Sequence, residues 1–115
     1  IIVSIHAGNT NDSAVAPVDV LPGIVEAAGK RLTIIVDSGF RRGSDVLKGL
    51  ALGADAIAIG RATLYGVGAA GESGATRALE IFDSEIRRTM GVMGLSDVQS
   101  INRDHVILPS QFYKS

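Results

Sequence analysis

Three short apolar runs, Ile1–Ile5, Leu32–Val36 and Ala54–Ile59, constrain the fold of this chain more than any other feature. Each is rich in Ile or Val, and each gives way to a polar residue or a glycine. They are continuous runs, not alternating ones, so both faces of each strand must be covered. That is the demand of a parallel sheet sandwiched by helices, not of a sheet with one face in water. Helical patterns lie between the runs. Pro17–Ala28 carries Val20, Leu21, Ile24, Val25 and Ala28 at helical spacing and stops at Gly29, with Pro22 and Gly23 weakening its middle. Ser44–Leu52 has Ser44 in the N-cap position, Val46, Leu47, Leu50 and Ala51 on one face, and Gly53 past its end. A longer helix is predicted over about Glu72–Met90, with Ala75, Ala78, Leu79, Phe82, Ile86 and Met90 as its apolar stripe and Asp83 and Arg87 one turn apart outside it. The order β, α, β, α, β, α with short connections predicts an α/β protein with parallel strands and right-handed crossovers.

Length then limits the architecture. A (β/α)₈ barrel needs about 250 residues, and this chain has 115. It starts inside an apolar run, with neither Met nor a cationic leader ahead of it, and reads as a piece of something longer. Residues 1–93 form three βα units; residues 94–115, with Pro109 and no sustained period, read as an extended or partly helical tail. A formal net charge of −1 gives no general attraction to nucleic acid. The absence of Cys excludes disulfides, thiolate metal sites and cysteine nucleophiles, and fits a reducing, cytoplasmic location. No run approaches the roughly 18 apolar residues that span a bilayer. His6 and His105 lack the carboxylate spacing of a metal site, so none is expected.

In parallel α/β proteins chemistry collects at the carboxyl ends of the strands. Three loops hold that position: His6–Ala16, Asp37–Gly43 and Gly60–Gly68. The second reads Asp37-Ser38-Gly39-Phe40-Arg41-Arg42-Gly43 and leads into the helix near Ser44, whose N-terminus favours an anion. Small residues there allow backbone N–H groups to approach a ligand, and Arg41 or Arg42 adds a charge-assisted contact. Gly60-Arg61 opens the third loop in the same way. Glycine plus arginine after consecutive strands describes a phosphate cradle; the alternative is that the glycines serve tight turns and the arginines are solvated. His6, directly after the first strand, has the chemistry of a general base, or is a core or supporting histidine. Asp37 is placed to bind a ribityl or ribose hydroxyl, or to cap the following turn.

The series Asp37-Ser38-Gly39-Phe40-Arg41-Arg42-Gly43-Ser44-Asp45, Lys48-Gly49-Leu50-Ala51-Leu52-Gly53-Ala54 and Ile59-Gly60-Arg61 resembles the C-terminal part of the FMN-dependent α-hydroxy-acid oxidases and dehydrogenases. Ala62-Thr63-Leu64-Tyr65-Gly66 and Gly71-Glu72-Ser73-Gly74 are closest to the (S)-mandelate dehydrogenase branch. The resemblance covers nearly the whole chain and implies that its strands are the sixth to eighth of a (β/α)₈ TIM barrel, with FMN as cofactor. It implies that Asp37, Ser38, Gly39, Arg41, Gly60 and Arg61 line the ribityl-phosphate site and that His6 is the base that takes the hydroxyl proton of an (S)-2-hydroxy acid. It also implies a homotetramer, with membrane association of the full-length parent as an alternative to a cytoplasmic location. Two departures stand out. Asn9 occupies the position of the arginine that grips the substrate carboxylate, and Ile5 stands where the family usually has Asn. Asn9, with Arg41 as a partial replacement, becomes the candidate substrate contact. His6-Ala7-Gly8-Asn9 and the tail Ile107-Leu108-Pro109-Ser110-Gln111-Phe112 look more like the mycofactocin-biosynthesis branch, whose substrate is peptide-derived. Related barrels such as the type 2 isopentenyl diphosphate isomerases, and a non-catalytic phosphate-binding half-barrel, are the other readings. The flavin-contacting lysine and other groups of earlier strands are not in this chain, so the 115 residues alone are expected to be inactive.

Overall fold

The computed structural model describes residues 1–108. Strands β1 (Ile2–Val3), β2 (Ile35–Val36) and β3 (Ala56–Ile57) form a parallel sheet in the order β1-β2-β3. Ile2 pairs with Ile35 and Val3 with Val36; Ile35 pairs with Ala56 and Val36 with Ile57. Consecutive strands are neighbours, as βαβ crossovers demand. The paired segments are shorter than the apolar runs. After Val3 the chain leaves the ladder, because Ile5 sits at φ −106°, ψ 22° and its N–H donates to Ser38 Oγ at 3.2 Å instead of to a strand carbonyl. At the start of β2, Leu32 follows a 3-10 turn over Gly29–Arg31 and is 52% exposed.

Helix α1 (Pro17–Ala28) has the predicted bounds and continues through Pro22 with one intrahelical donor missing. Helix α2 spans Gly43–Ala51. Ser44 is therefore not its cap. Asp45 performs that task, reaching back from the first turn to accept the N–H groups of Arg41 (3.1 Å) and Arg42 (3.0 Å). The core lies where β2 meets α1 and the following loop: Leu21 and Val36 are fully buried, with Val3, Ile34, Phe40 and Leu52 around them. Each such side chain contributes about 1.5–3 kcal/mol by leaving water.

Helix α3 (Arg61–Met93) starts earlier than predicted, so the expected Gly60–Gly68 loop is helical from Arg61 onward. Gly66 and Gly68 masked this start, because glycine normally weakens a helix interior. A break at Ala70–Gly71, where Gly71 takes φ +57°, divides α3 into two arms that fold toward each other. At the contact a Cβ on Gly74 would overlap the Gly66 carbonyl, and one on Gly66 the Gly74 carbonyl. The second arm packs on α2. Phe82 and Met90 from the predicted stripe are buried, whereas Leu79 is 52% exposed.

The tail carries 3-10 turns at Val98–Ser100 and Arg103–His105, and Val106 and Leu108 pack against the core. Asp97 accepts both the hydroxyl (2.9 Å) and the N–H (2.8 Å) of Ser100, which holds its carboxyl below the usual aspartate range. The stretch from Pro109 to Phe112 lies outside the described residues.

Candidate active site

Because the strands are parallel and in register, their carboxyl ends open on one edge. β1 leads through Ser4 and Ile5 into a 3-10 turn at His6–Thr10, β2 runs directly into Asp37, and β3 reaches Gly60 through Ala58 and Ile59. These segments enclose a cavity of about 820 Å³, within the range of small-molecule sites. His6, Asp37, Ser38, Gly39, Arg41, Gly60 and Arg61 all line it, so the structure brings together every cofactor and base candidate read from the sequence. Asn9 lies on the same 3-10 turn as His6.

The Asp37–Arg41 loop owes its shape to two successive left-handed residues, Ser38 (φ +72°) and Gly39 (φ +96°). Glycine adopts this conformation freely; serine does so at a cost of about 1–2 kcal/mol. Ser38 is held there by two hydrogen bonds, its hydroxyl donating to Asp37 Oδ1 at 2.6 Å and accepting the Ile5 N–H at 3.2 Å. The serine therefore ties the first loop to the second. Phe40 anchors the other side of the turn in the core.

The two arginines separate. Arg42 pairs with Glu85 at 2.8 Å, while Arg41 faces the cavity. The N-terminus of α2, expected to favour an anion, is partly occupied by side chains. The N–H groups of Arg41 and Arg42, just ahead of the helix, are taken by Asp45 and that of Gly43, its first residue, by Glu85 at 2.7 Å, while the Ser44 N–H meets no acceptor among the described residues. The open terminus is that of α3. It has no acidic residue in its first turn and no side-chain cap, and Thr63 bonds the Gly60 carbonyl at 2.8 Å. Among the described residues the N–H groups of Gly39, Gly60, Arg61 and Ala62 meet no acceptor. A helix N-terminus with free donors, an arginine at its first position and a second arginine lining the same cavity are groups that suit an anion.

These features fit FMN. The free donors and two guanidinium groups suit its phosphate, Asp37 offers an acceptor for a ribityl hydroxyl, and a Cβ added at Gly39 or Gly60 would meet nothing within 4 Å, leaving open space for the ligand. His6 is exposed and its ring meets no hydrogen-bond partner among the described residues, so both nitrogens are available to a ligand. His105 is a structural residue: its Nδ1 accepts the Asn102 N–H at 3.2 Å and closes the last 3-10 turn. Sequence reasoning missed Asp45 and Glu85. An acid at the third residue of a helix is a readable capping signal, but Glu85 is far along the chain and nothing local announces it.

A parallel βα array that brings a histidine and two arginines to one cavity at its strand ends has the layout of α/β proteins that bind an anionic ligand there. The family described as FMN-dependent dehydrogenase matches residues 1–108, and the chain belongs to it. It is 44% identical over 106 residues to (S)-mandelate dehydrogenase from Pseudomonas putida, covering 92% of this chain and 26% of that protein. It is 44% identical over 102 residues to L-lactate dehydrogenase from Caulobacter vibrioides, covering 89% of this chain and 27% of the relative. A crystal structure of the monotopic membrane protein (S)-mandelate dehydrogenase superposes with a TM-score of 0.84 at 46% identity, over 90% of this chain and 27% of that one. The fold is thus a segment of a (β/α)₈ barrel, FMN is the family's cofactor, and the chain spans about a quarter of the length of the relatives it matches. Among the described residues no helix is long and apolar enough to cross a membrane.

Proposed function

We propose that the chain is the sixth to eighth βα units of an enzyme that oxidises an (S)-2-hydroxy acid to the 2-oxo acid with FMN. The observation that carries this reading is the convergence of His6 and the Arg41/Arg61 anion cradle on one cavity. Bound FMN supplies a two-electron acceptor. Arg61 and the first N–H groups of α3 hold the phosphate, and Arg41 faces it from the second loop. Asp37 holds a ribityl hydroxyl, while its bond to Ser38 keeps the turn rigid. His6 accepts the substrate hydroxyl proton, which raises electron density on the carbon that is oxidised.

The experiment is made on the full-length parent. A flavin absorbance band that bleaches on adding (S)-mandelate or L-lactate is the expected result, and a colourless protein that takes up no FMN sinks the proposal. Arg61→Ala is expected to raise the FMN dissociation constant by about tenfold or more, the value of one charge-assisted contact. Fluorescence titration measures this, and unaltered affinity would remove Arg61 from the phosphate site.

Asn9 favours a second reading. An amide cannot offer the bidentate cationic fork that an arginine gives a carboxylate, so a peptide-derived substrate with less need for a carboxylate grip is the alternative. Asn9→Arg separates the two. Gain of turnover on small hydroxy acids, followed as flavin bleaching, is expected if the pocket has diverged from a hydroxy-acid site; no gain with small acids, together with turnover of a peptide-derived alcohol by the wild type, supports the alternative.

A further inference from the structure

We infer that Glu85, on the second arm of α3, is a positioning residue for the phosphate-binding loop Asp37–Arg41; the inference rests on the FMN reading above. Both of its carboxylate oxygens are engaged at the start of α2. Oε2 accepts the Gly43 N–H at 2.7 Å, and Oε1 pairs with Arg42 Nη2 at 2.8 Å. Its side chain is 17% exposed, against 71% for Arg42, so the carboxylate is the fixed member of the pair. The close seat explains the glycine: a Cβ at residue 43 would come within 2.6 Å of Glu85 Cβ and of the Ile86 nitrogen. Helix α3 therefore rests directly on the point where the loop becomes helix.

Three consequences follow for the cavity. The end of the loop is pinned by a charge-assisted bond from a packed helix. Arg42 is drawn to the side of α3, which leaves Arg41 as the guanidinium of this loop that faces the cavity. A carboxylate of the chain occupies the N-terminus of α2, so a phosphate is directed to the uncapped terminus of α3. Without Glu85 the loop would have to be ordered when the ligand binds, and that ordering cost appears in the dissociation constant. Freed Arg42 offsets little of it, because an exposed guanidinium is screened by water.

The test compares FMN with riboflavin, which lacks the phosphate, in fluorescence titrations of the full-length apoprotein. Glu85→Ala is expected to raise the FMN dissociation constant about tenfold, and Glu85→Gln, which keeps an acceptor for Gly43 but loses the ion pair, about threefold. Riboflavin affinity is expected to fall by clearly less than FMN affinity, because riboflavin shares the Asp37 contact to its ribityl chain but makes none of the phosphate contacts. Equal weakening of both ligands, or of neither, overturns the inference, since a merely structural role would not alter their ratio. If Glu85→Ala fails to fold, the ratio in Glu85→Gln decides by the same criterion. Arg61→Ala runs in parallel. If it lowers the preference for FMN and the Glu85 variants do not, Glu85 alone loses its role; if Arg61→Ala also leaves the preference intact, the phosphate assignment itself fails.

Discussion

His6→Ala in the full-length parent is expected to retain bound FMN and to lose substrate reduction of the flavin by a factor of about 10²–10⁴, the range for removal of a positioned general base. The separation follows from placement. His6 is carried by the turn after β1, whereas the phosphate donors are carried by the ends of β2 and β3 and the start of α3. Alanine at residue 6 keeps the backbone N–H that donates to Ser4 Oγ at 3.0 Å, so the turn itself survives. Anaerobic stopped-flow measurement of flavin bleaching checks the prediction. Loss of flavin with normal chemistry per bound FMN would instead make His6 a binding residue, and an unchanged reduction rate would exclude it as the base.

Gly74→Val is expected to destabilise the protein by about 3 kcal/mol, the upper part of the range for overpacking a closed contact. The cause is backbone against backbone. At the point where the two arms of α3 approach, a Cβ on Gly74 meets the Gly66 carbonyl, and no rotamer change can relieve it. The first arm carries Gly60 and Arg61 at its start, so parting the arms also disturbs the anion site. Gly68→Ala is the control, because a Cβ there meets nothing within 4 Å; alanine is expected to stabilise the helix slightly, by up to about 1 kcal/mol. Chemical denaturation of both variants measures the difference. Equal midpoints for the two would show that the arms do not depend on the glycine contact.

Much of the candidate site was legible because strand ends are local features. An apolar run followed at once by Asp37-Ser38-Gly39 or by Gly60-Arg61 places those residues at the mouth of a parallel sheet, whatever the rest of the fold does. The same logic placed His6. The use made of the helix termini was not legible. Ser44 has the chemistry of an N-cap, yet α2 begins at Gly43 because Asp45 and Glu85 take the free N–H groups instead. The first arm of α3 was hidden by Gly66 and Gly68, whose low helix propensity is outweighed by the close approach of the second arm that Gly66 permits.

The sequence by itself determined the parallel α/β class, the bounds of α1, the family, and the set of residues at the cavity mouth, since each follows from local pattern or from an ordered series of motifs. Tertiary structure alone decided which arginine lines the cavity and which helix terminus is the less occupied by side chains. Both depend on Glu85, forty-two residues along the chain from Gly43, being carried to the start of α2 by the packing of α3. A carboxylate placed there takes the first N–H of one helix, while the first N–H groups of the other meet no acceptor among the described residues.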